Sequence, residues 1–113
     1  MEDLYVKSLE AYVSETSPER IRVKVVDESI SKLLQSYGFS YEPDFKDWCL
    51  NIKANKQAVA FAFLRDNEIC FANGPAGWPP GALFERWREQ GLLSGKYLSV
   101  SWKDKEHYYI EER

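Results

Sequence analysis

A chain of 113 residues, 44% hydrophobic and 15% aromatic, is long enough to bury a core in one domain and too apolar to stay disordered. Its formal charge of −3 argues against a binder of phosphate backbones. Its longest apolar run, about seven residues, falls far short of the roughly 20 that span a bilayer, so no membrane association is expected.

The opening Met1–Val13 carries acids where a secretion signal needs a basic stretch, so the expected compartment is the cytoplasm. Glu2 to Glu15 reads as a helix, with Tyr5, Leu9, Tyr12 and Val13 at helical spacing. Thr16-Ser17-Pro18 stops it. Ile21 to Val25 alternates with β-branched residues and predicts a half-buried strand. The competing reading is one long helix capped at Ser17, with Pro18 at its first position. Asp27 then caps a helix whose stripe is Ile30, Leu33, Leu34 and Tyr37, ended by Gly38.

Phe39 to Lys46 reads as a loop. Trp48, Leu50 and Ile52 alternate with polar neighbours and predict a strand that pairs with Ala58–Leu64 through Ala54–Gln57. The stretch from Gln57 to Leu93 is the expected centre of the fold. Ala58, Ala60 and Ala62 alternate with Val59, Phe61 and Phe63, which predicts a strand apolar on both faces. Glu68–Ala72 would close a hairpin with it. Asn73 to Gly81 is a Gly/Pro loop, followed by a helix over Gly81–Gln90 with Leu83, Phe84 and Trp87 on one face. Gly91 fits a left-handed helix ending with Leu92 packed back on Trp87. Lys96–Trp102 and Glu106–Glu111 make a last hairpin. The expected architecture is one α+β domain, residues 1–113, with a mainly antiparallel sheet of about five to six strands and about three helices packed on it.

No catalytic or metal-binding signature emerges from these residues, and no cofactor is expected. His107 is the single histidine and sits in a strand hairpin, where a surface role is the commoner one. Cys49 and Cys70 show no ligand spacing and read as two buried thiols. The Gly/Pro loop feeds a helix start whose amides at Gly81, Ala82 and Leu83 lack intrahelical acceptors, a geometry that suits a small anion. Neither a phosphate-loop nor a dinucleotide motif accompanies it, so a tight turn with Trp78 as a lid is the plainer reading.

Charge and aromatics point elsewhere. Residues 1–47 carry ten acids against six bases, a net −4, leaving +1 for the remainder. Surplus aromatics such as Trp78, Tyr97, Trp102, Tyr108 and Tyr109 suit a binding surface, because they bury much area at little rotamer cost. The first functional expectation is therefore a non-catalytic protein-binding domain of immunity or inhibitor type, meeting a basic protein through Asp44, Asp47, Trp78, Tyr97, Trp102 and Tyr109. The alternative is a small-ligand or anion-binding domain, or an enzyme, using the loop 73–81 and Gly81, Ala82 and Leu83. Nucleic-acid binding through an aromatic sheet face is least favoured on charge.

Overall fold

Pro18 and Glu19 turn the chain between two antiparallel strands, β1 (Ala11–Ser17) and β2 (Arg20–Val25), with Ser17 opposite Arg20. This computed structural model describes residues 9–73, 79–104 and 107–113. Of the helix expected over residues 2–15, residues 2–8 lie outside the described residues and 11–15 are strand. The helical spacing of Leu9, Tyr12 and Val13 loses to pairing: β1 lies between β2 and β5, and Tyr12 and Val13, paired on both sides, gain more from two ladders than from an isolated turn of helix. The reading of Ile21–Val25 as a strand holds, and the long-helix alternative falls with it.

Helix α1 (Ser29–Tyr37) follows, with the Asp27 carboxylate accepting the Ser29 N–H at 3.0 Å. A short strand β3 (Ser40–Glu42), where a loop was expected, turns back into β4 (Asp47–Asn51). After β4 come α2 (Ala54–Asp66), β5 (Cys70–Ala72), α3 (Pro80–Glu89), β6 (Leu98–Trp102) and β7 (Tyr108–Glu112). Among the described residues the sheet has seven strands in the order β3-β4-β2-β1-β5-β6-β7. It is mixed rather than mainly antiparallel, because β5 runs parallel to both β1 and β6. The α+β class and the number of helices, three, stand among the described residues, but α2 is not one of the helices expected; the strand number and the pairing are corrected.

The largest correction is α2. The run Ala58–Leu64 is helix, so β4 pairs with β2 and β3 instead, and Glu68–Ala72 forms no hairpin with it. A short apolar run satisfies both periods, and the helix reading puts Gln57, Ala60, Phe61 and Leu64 on the buried face at i, i+3, i+4 and i+7. Val59, which a strand would bury beside Phe61, is 69% exposed.

All three helices end alike. In α1 the N–H of Phe39 reaches Leu34 O and that of Gly38 reaches Gln35 O. Ile69 and Glu68 repeat the pattern on Leu64 and Arg65, and Leu92 and Gly91 on Trp87 and Arg88. These paired 6→1 and 5→2 bonds need a left-handed residue, supplied by Gly38 (φ 123°), Glu68 (φ 61°) and Gly91 (φ 79°). The expected glycine ending at Gly91 is present, but Leu92 is exposed and it is Leu93 that turns inward.

The main core lies between the helices and one sheet face. Phe61 sits 5.0 Å from Phe71 and 4.8 Å from Trp87 between ring centroids, and Phe84 stacks on Tyr97 at 4.5 Å. Val13, Ile21 and Val23 meet them from the sheet. A second, smaller cluster gathers Leu9, Cys70, Leu98, Val100 and Ile110. Alternation along the strands places it on the opposite sheet face. Among the described residues, no helix is long and apolar enough to cross a membrane.

Candidate ligand-binding site

Three stretches far apart in sequence meet at one end of the sheet. The β1–β2 turn brings Thr16, Ser17 and Pro18; the start of α2 brings Ala54 and Gln57; α3 brings Leu83, Arg86, Trp87 and, just past its end, Gln90. They line a half-open cavity of about 370 Å³, within the size range of small-molecule sites. Backbone bonds hold the walls together: Ala54 N–H donates to Pro18 O at 2.8 Å and Ile52 N–H to Glu19 O at 3.0 Å. Trp87, buried against Phe61, provides an aromatic wall.

Gln57 is the unusual member. Its side chain is buried, 1% exposed, in a mostly apolar setting. The amide nitrogen donates to Ser17 O at 2.7 Å and to Ile52 O at 2.9 Å, which consumes both hydrogens. Two carbonyl acceptors fix the orientation of the amide, since a flip would set oxygen against oxygen. The carbonyl Oε1 accepts no hydrogen bond from the described residues. Nor is it sealed off: among the described residues the one fully enclosed side-chain polar atom without a partner is Ser99 Oγ. The open space that Gln57 meets is the cavity it lines.

The residues expected to meet a partner do not converge. Asp47 is buried and pairs with Arg22 at 2.9 Å, so it is an interior acid rather than a surface one. Arg22 Nη1 also meets Glu42 at 2.7 Å, and its guanidinium lies 4.1 Å from the centre of the exposed Phe45 ring. Burial opposes the charge on Arg22, but the bond to Glu42 and the charge of Asp47 outweigh it and raise its pKa. Burial lifts the Asp47 carboxyl above its ordinary value against the pull of Arg22. Asp44 is exposed in the turn between β3 and β4. Tyr97 is buried with its hydroxyl on the Glu85 carboxylate, so it cannot serve as a surface anchor. Trp102 and Tyr109 are exposed at the other edge of the sheet, where Trp102 packs edge-on against Tyr12 at 5.7 Å. Trp78 and most of the 73–81 loop lie outside the described residues.

The alternative anion site fares differently residue by residue. Gly81 is buried, and a Cβ there would lie 3.4 Å from Tyr97 Oη and 3.5 Å from the Ala72 carbonyl oxygen, so α3 begins against protein acceptors. Ala82 is exposed, and Leu83 lines the cavity described above.

His107 is exposed and pairs with Asp104 at 2.8 Å. Cys49 and Cys70 are buried and not joined in a disulfide, lying on strands separated by β2 and β1, and burial raises the Cys49 thiol pKa, which favours its protonated form. Among the described residues no group of three His, Cys, Asp or Glu side chains could hold a metal ion. Sequence reasoning missed the cavity because its walls come from residues 16–18, 54–57 and 83–90, none of which forms a motif. The one local signal was a glutamine inside an apolar helical stripe. No protein-family model, curated protein or solved structure matches this chain.

Proposed function

We propose that the protein is a binding domain that takes a small, largely apolar molecule in the cavity between the β1–β2 turn, the start of α2 and α3. The observation that carries this reading is a cavity of about 370 Å³ with an aromatic wall at Trp87, aliphatic surface from Pro18, Ala54 and Leu83, and one buried carboxamide at Gln57, with the polar Arg86 and Gln90 exposed. A concave apolar site with few convergent polar groups is where ligands bind in most small domains. The test is a fragment screen read by amide and side-chain NMR. Fragments that bind should move the resonances of Thr16, Gln57, Trp87 and Gln90. Ala54→Trp, at an exposed position on the rim, should abolish those shifts without lowering Tm by more than a few degrees. Shifts that persist in the variant, or fall elsewhere, would overturn the site.

A protein partner, the first expectation from sequence, has support of another kind. Tyr41 and Phe45 are 50% and 56% exposed on the β3–β4 hairpin, and Arg22, itself held by Asp47 and Glu42, backs the Phe45 ring. Rigid exposed aromatics beside the exposed acid Asp44 suit a binding anchor. Under this reading, Phe45→Ala should accelerate dissociation of a cross-linked and identified partner at least tenfold while leaving the fragment shifts intact. An unchanged dissociation rate would remove the hairpin from consideration.

A further inference from the structure

We infer that the molecule held in this cavity has a two-ring apolar body carrying an N–H or O–H donor, which Gln57 Oε1 accepts. The inference rests on the ligand-binding reading and adds the ligand's shape and polarity. Size comes first. An apolar cavity of about 150 Å³ takes a benzene ring, so about 370 Å³ accommodates two fused rings. Trp87 offers the rings an aromatic wall, and Pro18, Ala54 and Leu83 offer aliphatic ones.

Polarity follows from Gln57. Its nitrogen is committed to Ser17 O and Ile52 O, so the side chain cannot rotate to present a donor without breaking the ties between the β1–β2 turn and α2. What it presents is an acceptor, with no donor from the described residues directed to it. A ligand that fills the cavity displaces the water that would otherwise solvate this oxygen. An apolar ligand without a donor would leave the acceptor desolvated, which is costly, whereas one N–H or O–H turns that cost into a gain. A site built around one such acceptor therefore rejects isosteres that lack the donor far more strongly than a purely apolar pocket could.

Indole and benzofuran share a two-ring outline and differ in N–H against O, so they isolate the donor. Titrated separately into the intact chain and followed by NMR, indole should move the Thr16, Gln57 and Trp87 resonances and shift the Gln57 side-chain amide signals. Benzofuran should bind the same place at least about tenfold more weakly, the size expected for one buried acceptor left unmade. Gln57→Leu should erase the preference between the two; should that variant fail to fold, the pair of titrations on the native chain decides alone. Equal affinities at the cavity would overturn the donor assignment and leave the cavity as a site. If neither compound binds there while smaller or differently shaped fragments do, the two-ring assignment fails by itself. If no fragment binds there, the ligand-binding reading fails and this inference with it.

Discussion

Single residues carry more of this structure than their local sequence suggests. Gly91 is one that local sequence does reveal: a glycine after a helical stripe, with φ 79° and the two bonds that close α3. A Cβ there would meet nothing within 4 Å, so Gly91→Ala isolates the backbone cost of a left-handed residue. We expect a loss of about 1 kcal/mol by urea denaturation, from the penalty an L-residue meets in that region. A neutral result would mean the helix ending relaxes to another form. Asp47 and Gln57 are the opposite case. An acid in a run of acids reads as surface, and nothing local says that Arg22, on a strand three elements earlier in the chain, will enclose it. Reversing Asp47 to Lys would set a second cation against the buried Arg22 and test folding rather than association. Asp44, which is exposed, is the acid on which a steering experiment can rely.

At the scale of elements, the strands and helices legible in the sequence are those whose period is unambiguous and whose ends are marked. Ile21–Val25, the stripe ended by Gly38, the strand around Trp48–Leu50, the helix ended by Gly91 and the strand before Trp102 all fall within a residue or two of expectation. The failures are the ones where local pattern was satisfied two ways. Ala58–Leu64 alternates small and large, yet its alanines favour helix and its large residues also recur at helical spacing. Residues 11–17 carry a helical spacing but gain two strand partners that lie far along the chain. The parallel pairings of β5 could not be read at all, because a three-residue strand takes its direction from the helices on either side of it. The cavity was illegible for the same reason, being made of contacts between elements. Two substitutions in α2 separate the readings. Phe61→Ala, at a residue with no exposure between Phe71 and Trp87, should cost roughly 3–5 kcal/mol. Val59→Glu should stay within about 0.5 kcal/mol, because Val59 faces solvent on the helix. Comparable losses at the two positions, measured by urea midpoint, would restore the strand.

Over the whole molecule, an antiparallel block β3-β4-β2-β1 is joined to β5-β6-β7 through the short parallel ladders of β5, and helices brace the seam. Tyr97 is the residue where this bracing is densest. Its ring stacks on Phe84 and meets Phe71 edge-on, its backbone exchanges hydrogen bonds with Arg113 beyond β7, and its hydroxyl meets Glu85 of α3. It thus ties the C-terminal strand to the helix that forms one wall of the cavity. Burial first, and then the hydrogen bond to Glu85, raise the Tyr97 phenol well above its ordinary value. A phenol raised on folding favours the native state while it is neutral. That contribution is whole below the unfolded value, about pH 10, and is lost as pH climbs from there through the raised native value. The protein should therefore lose stability on the alkaline side, and Tyr97→Phe, though less stable at neutral pH for want of the bond to Glu85, should decline less steeply above about pH 10. Some slope will remain, because burial also raises the Tyr12 phenol. Urea midpoints of the native chain and the variant, compared from neutral pH to beyond pH 10, decide the matter. Parallel curves would mean that Tyr97 does not couple proton release to unfolding and that the join between α3 and the C-terminal strand is held by other groups.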